Sequence, residues 1–335
     1  MSDKTERKRL SILRVLQESG KPIGSSKITE QLQAAGQDVS ERTVRYYLLG
    51  MDQEGLTENL GKRGRRVTEL GLRELETARV FEKVGFLAAR IDQITYGMDF
   101  DLDKKTGKVI VNISFLDKRL IRQAAPMMAR VFDAGYSMGN LIGLFPPGKK
   151  IGEMTVPEGM VGIGTVCSIT LNGALLSRGV PTHSRFGGLL ELRDHEPTRF
   201  VEIITYEGTS VDPLEVFIRS GMTDYVGATA NGNGRIGAGF REFPADARDK
   251  VIDLAEKLEK VGLGGFMTIG WPGQPLLEVP VSEGRVGAIV IGGLNPTAIL
   301  EEQHIHVQSR ALAGLCDFNE LFHYREMDEH IRRMF

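Results

Sequence analysis

A chain of 335 residues exceeds what one hydrophobic core usually supports, so at least two domains are expected. With 26% charged and 41% hydrophobic residues the composition is that of an ordinary soluble globular protein, and a formal net charge of -2 excludes a surface that binds nucleic acid throughout while leaving room for a local basic patch. Cys167 and Cys316 are too few for a disulfide framework, Met1 to Leu10 lacks the apolar core of a signal peptide, and no apolar run approaches a membrane span, so a cytoplasmic location is expected.

In the first eighty residues, Leu10, Ile12, Leu13 and Leu16 mark one helix, stopped by Gly20 and Pro22. Ser25 or Ser26 opens a second helix, with Ile28 and Leu32 inward and an end near Gly36. Ser40 suits the N-cap of a third, with Glu41 at its positive end and a buried stripe of Val44, Leu48 and Met51. Arg42, Thr43, Arg45 and Tyr46 fall largely off that stripe. Leu56 to Leu60 and Arg65 to Thr68 then read as short strands around Gly61-Lys62-Arg63-Gly64.

Three short helices and a basic hairpin are the order of a winged helix-turn-helix. The third helix would present Ser40, Arg42, Thr43, Arg45 and Tyr46 to base edges of double-stranded DNA, and Lys62, Arg63, Arg65 and Arg66 would neutralise phosphates. Residues 1–76 hold 14 Lys/Arg against 12 Asp/Glu, so the domain is basic at the tip and not throughout. The boundary is placed at residue 80, with a second, larger domain over 81–335.

Glu69 to Ile94 reads as largely helical, with Leu72, Leu75, Val80, Phe81, Val84 and Leu87 as its apolar residues. Beyond Phe100, β-rich runs and helices alternate: Val109 to Phe115, a helix around Ile121 to Phe132, then Met138 to Phe145. Shifting the chain by 125 residues superposes Pro147-Gly148 on Pro272-Gly273, Glu158-Gly159 on Glu283-Gly284, Val161-Gly162 on Val286-Gly287, and Ser184-Arg185 on Ser309-Arg310. The fold class expected is therefore α+β: a winged helix, then two related α+β halves, roughly 105–225 and 235–325, with a ligand groove between them.

Candidate ligand residues gather in two segments. Gly162 to Ser168 combines glycines, which let backbone N–H groups approach a ligand, with Thr165, Cys167 and Ser168. Pro181 to Gly188 contributes His183, Ser184 and Arg185, whose planar fork suits a carboxylate. The glycines serve equally as a strand bend, and the matching Arg310 suits an arginine that ties the halves together. Arg219, after Val216-Phe217-Ile218, is a further candidate. His304, His306, His323 and His330 lack the spaced partners of a metal site, and no cofactor is expected. An enzyme with a fused winged helix, using Cys167 and His183 with Asp194 to orient the histidine, is the alternative; an RNA-binding or scaffolding protein is a third reading.

Gly85 to Tyr96 (GFLAARIDQITY), Gly162 to Thr170 (GIGTVCSIT), Gly179 to Gly188 (GVPTHSRFGG), Tyr206 to Gly221 (YEGTSVDPLEVFIRSG) and Gly292 to Pro296 (GGLNP) resemble the NrpR family of nitrogen-regulatory repressors. The resemblance implies a homodimeric, non-enzymatic repressor of nitrogen-assimilation genes, with 2-oxoglutarate as the inducer that weakens DNA binding. Only one regulatory domain is found here, where many relatives carry two in tandem.

Overall fold

The computed structural model describes residues 3–35, 37, 39–82, 86–152 and 154–334, with side chains from 8–75 and from 87 onward. Gly36, Val84 and Gly85 lie outside the described residues, as do the side chains of Val80 and Phe81. The chain divides into two compact units, Met1–Val84 and Gly85–Phe335.

The first unit contains α1 (Asp3–Ser19), α2 (Ser25–Ala34), α3 (Glu41–Gln53), β1 (Thr57–Asn59), β2 (Arg65–Val67) and α4 (Glu69–Glu82). Ile12, Leu13 and Leu16 of α1, Ile28 and Leu32 of α2, and Val44, Leu48 and Met51 of α3 meet in one buried cluster. The Ser40 hydroxyl caps α3 by accepting from the Thr43 N–H at 3.2 Å. Ser25 Oγ donates to Glu41 Oε1 at 2.8 Å, tying the start of α3 to the start of α2. The β1–β2 hairpin turns through a single 3-10 turn at Gly61–Arg63. Its base is widened by Ile23, which exchanges backbone hydrogen bonds of 3.1 and 2.9 Å with Arg65. Gly64 is required there: its φ is +96°, and a Cβ would stand 2.4 Å from the Ile23 carbonyl.

In the second unit, α5 (Phe86–Tyr96) precedes β3 (Lys108–Asp117), α6 (Ile121–Asp133), β4 (Leu141–Phe145), the small hairpin β5 (Lys150–Ile151) and β6 (Met154–Thr155), and β7 (Met160–Val166). Next come α7 (Ile169–Ser177), β8 (His183–Arg193), β9 (Glu196–Thr205), α8 (Pro213–Arg219) and α9 (Tyr225–Asn231). The second passage runs β10 (Gly234–Pro244), α10 (Arg248–Lys260), β11 (Phe266–Ile269), β12 (Arg285–Ile291), α11 (Asn295–Glu302) and β13 (Gln308–Asp317). The described chain closes with β14 (Phe322–His323) and α12 (Met327–Met334). The helical character expected over Glu69 to Ile94 is carried by α4 and α5, one in each unit.

Each repeat has the order β-α-β-β-α-β. β7 and β12 stand 125 residues apart (Met160 against Arg285), whereas α6 and α10 stand 127 apart (Ile121 against Arg248), so two residues separate the registers before β4. The two five-stranded antiparallel sheets run β13-β3-β7-β4-β14 and β9-β8-β10-β12-β11. Each takes three strands from one repeat and borrows the last strand of the other: β13 lies on β3, and β8 lies on β10. The two related α+β halves expected from the sequence are present, and they are interleaved through the exchange of their last strands. Side-chain alternation reports which face of a strand is buried, but not which sheet the strand joins.

Candidate functional site

In the first unit, Arg42, Arg45 and Tyr46 project from the start of α3, and Tyr46 is 73% exposed. Arg45 is held by Glu41 at 2.7 Å and Ser25 at 3.1 Å. Lys62 and Arg63 stand exposed at the hairpin tip, and like Arg42 they have no side-chain partner among the described residues. Arg66 forms an exposed pair with Glu58 at 2.8 Å. Arg65 departs from its expected role. Its Nε donates to Asp52 Oδ2 at 2.8 Å, with both side chains largely buried, so it braces the hairpin against the end of α3.

The effector candidates of the second unit fall in three places. Arg219 is exposed on α8 and pairs with Glu215 at 3.2 Å. His183 and Arg185 line an outer cleft of about 660 Å³ with Arg199, Phe200, Glu202 and Pro280. Arg185 is engaged there: Nη1 donates to Glu242 Oε1 at 2.8 Å and to the Pro280 carbonyl at 2.5 Å. Since Glu242 is 2% exposed at its side chain, Arg185 neutralises a buried carboxylate.

Thr165, Cys167, Ser168 and Ser184 belong to a third place, a buried centre. The β7–α7 turn of one repeat meets the β12–α11 turn of the other: a Cβ on Gly293 would lie 2.3 Å from the Val166 carbonyl and 2.9 Å from Cys167 Cα. That approach explains why glycine stands at 293. The Thr165 hydroxyl is buried without a hydrogen-bond partner. Ser168 Oγ accepts from Arg241 Nη2 at 3.2 Å, and Asn172 Oδ1 accepts from Arg241 Nε at 3.3 Å. Asn172 Nδ2 in turn donates to Ser184 Oγ at 2.8 Å.

Arg241, Asn172 and Tyr206 were not among the expected site residues. Arg241 stands in a strand of mostly apolar and glycine residues, and that contrast is the only sequence signal for it. Its guanidinium carbon lies 5.4 Å from the Tyr206 ring centroid. Burial pushes the Tyr206 hydroxyl up to about 12. Asp212 is pushed up to about 6, by burial first and then by the nearby Glu215 charge, while its carboxylate caps α8 by accepting from the Leu214 N–H at 2.9 Å.

The cysteine–histidine pair of the alternative reading is not assembled. Burial pushes the Cys167 thiol up to about 12, which opposes the thiolate a nucleophile requires. His183 instead faces Glu207, with Nε2 3.4 Å from Oε1.

Comparisons with known proteins agree with this architecture. The family described as NrpR regulatory domains NRD1 and 2 matches residues 84–323, and the ribonuclease R winged-helix domain matches residues 10–75. A global nitrogen regulator NrpRI of Methanosarcina mazei is 35% identical over 321 residues, covering 96% of this chain and 99% of that protein. The global nitrogen regulators NrpR of Methanococcus maripaludis and Methanocaldococcus jannaschii are 31% and 30% identical over 93% and 94% of this chain. The chain spans about half of their length, 54% and 55%. The crystal structure of a nitrogen repressor-like protein from Methanococcus jannaschii superposes with a TM-score of 0.61 at 28% identity, covering 70% of this chain and 97% of that one. With a winged helix in front and a regulatory domain matched over most of the remainder, the chain belongs to the NrpR family of nitrogen regulators.

Proposed function

We propose that the protein is a DNA-binding transcriptional repressor of nitrogen-assimilation genes, released from its operator by a small dicarboxylate, with 2-oxoglutarate the first candidate. The observation that carries this reading is a winged helix with exposed, uncommitted cations at both contact elements, Arg42 on α3 and Lys62 and Arg63 at the tip, in a chain of a nitrogen-regulator family. Arg42, Thr43, Arg45 and Tyr46 would meet base edges, while Lys62, Arg63 and Arg66 would lie along phosphates. Ser40 would set the start of the reading helix. Arg65 is reassigned as the brace of the hairpin.

The second unit is the proposed effector-binding and dimerising body. A single winged helix covers a short stretch of DNA, and a homodimer places two on a pair of half-sites. Thr165, Cys167 and Ser168 remain the proposed effector neighbourhood, with Ser184 reaching it through Asn172. His183, Arg185 and Arg219 lie apart from it or are engaged by acidic partners, and drop from the proposed effector set. The location proposed is the cytoplasm, where operator and metabolite coexist.

A gel shift on the region upstream of the protein's own gene, with and without millimolar 2-oxoglutarate, tests the reading. A retarded band that weakens with the effector is expected. Absence of DNA binding at low salt overturns the repressor reading, and a band indifferent to 2-oxoglutarate overturns the inducer.

A further inference from the structure

α3 buries one side in the first unit and leaves the other bare. Val44, Leu48 and Met51 hold it to the core, whereas Arg42, Arg45, Tyr46 and Leu49, spaced by threes and fours, form an exposed stripe on the far side. The stripe changes character along its length. It begins cationic and continues apolar, with Tyr46 73% and Leu49 58% exposed. Two large apolar side chains three residues apart make a patch in water that a partner's surface would relieve.

Gly50 is an independent sign on the same helix. Glycine is the poorest helix former after proline, yet Gly50 stands inside α3. The other helical glycine of this unit, Gly71 in α4, has an internal cause: a Cβ there would lie 2.2 Å from the Leu56 carbonyl oxygen. A Cβ on Gly50 would meet nothing within 4 Å among the described residues. Packing inside the unit therefore does not account for a bare position at 50. Four residues after Tyr46, Gly50 lies about 40° round the helix from it, on the flank of the stripe. A bare position there supplies clearance for a body outside the protein. The exposed cations Arg42, Lys62 and Arg63 match that body to a polyanion. In the major groove of DNA, the apolar feature is the C5-methyl of thymine.

We propose that Leu49 reads a thymine methyl, and that Gly50 lets the wall of the groove close on the middle of α3 and not on its first turn alone. The proposal rests on the DNA-binding reading of the first unit and adds to it the chemistry of one base. Uracil lacks that methyl, so the same contact favours DNA over RNA.

The test uses the full chain and a site that it selects from random-sequence DNA duplexes, probed by gel shift. Each thymine of the site is replaced in turn by deoxyuridine, which removes the methyl and leaves the base pairing unchanged. At one thymine at least, the wild type should bind about fourfold more weakly after the replacement, the worth of one buried methyl. Leu49→Ala should bind the thymine site more weakly by about that factor and no longer tell thymine from deoxyuridine there. Gly50→Ala should bind the site about tenfold or more weakly, because its methyl meets the groove wall. It should nevertheless unfold no lower than the wild type, since alanine favours the helix, whereas loss of a structural glycine would lower the unfolding temperature. A site in which no thymine methyl matters overturns the assignment and leaves the DNA-binding reading intact. So does a Leu49→Ala variant that discriminates thymine from deoxyuridine as the wild type does. Wild-type binding by Gly50→Ala, or a lower unfolding temperature, overturns the role given to Gly50. A full chain that selects no DNA sequence overturns both the assignment and the repressor reading.

Discussion

Arg185, Arg65 and Arg241 are all drawn out of water, but they leave different things behind when removed. Without Arg185, the buried Glu242 carboxylate keeps, among the described residues, only Ser282, whose N–H and hydroxyl reach it at 3.3 and 3.0 Å. Arg185→Ala should therefore destabilise the protein by about 2–3 kcal/mol, less than a fully buried pair would cost because the Arg185 side chain is 32% exposed; urea unfolding measures it. Asp212 presents the opposite case, a carboxyl whose folded-state value has been raised from 3.8 to about 6. The folded protein then holds a proton there more readily than the unfolded chain. The penalty for the buried charge is full above pH 6 and is relieved as the pH falls towards 4. Asp212→Asn keeps an acceptor for the cap on α8 and removes the charge. It should raise stability most above pH 6, with the gain shrinking towards pH 4; denaturation curves across pH 4–8 that run parallel for the two proteins would refute this.

At the scale of elements, the hairpin of the first unit divides labour between tip and base. Arg63 is exposed at the tip, whereas Arg65 bonds Asp52 and pairs through its backbone with Ile23. Arg63→Ala should weaken DNA binding similarly on all sequences and lower the salt slope by about one unit, with no change in unfolding. Arg65→Ala should lower stability by about 1–2 kcal/mol and impair DNA binding only through that loss. Equal thermal stability of the two variants would contradict the division. The helices of this unit were legible because a cap at Ser40 and a stripe at Val44, Leu48 and Met51 are local signals. The partner of Arg65 was not legible, since Asp52 lies thirteen positions away and becomes a neighbour only when the hairpin folds back. The buried centre was half legible. Glycine with hydroxyls marked Thr165 to Ser168, but Arg241 arrives from β10 of the second repeat, and no pattern in one segment announces a meeting with another.

Over the whole second unit, β8 and β13 cross between repeats, so neither repeat contains a complete four-stranded sheet. Cutting the chain at the Asn231 to Gly234 turn should yield two fragments whose shares of the second unit are each poorly folded alone and recover cooperative unfolding when mixed. Independent folding of the C-terminal fragment, seen as dispersed amide resonances, would contradict the exchange. The repeat was visible in the sequence as a matching register from Pro147 to Arg185, yet similarity between two segments is silent on whether they share strands.

The exchanged strands also bear on how alike the two equivalent corners of the fold must be. A body built from two separate copies of a single repeat would carry the same residue at both equivalent corners: two buried arginines or two serines. Joining the copies in one chain lifts that identity, and the corners have diverged to Arg241 on one side and Ser114 on the other. The two corners are thereby free to differ, one built around a buried guanidinium and the other around three hydroxyls.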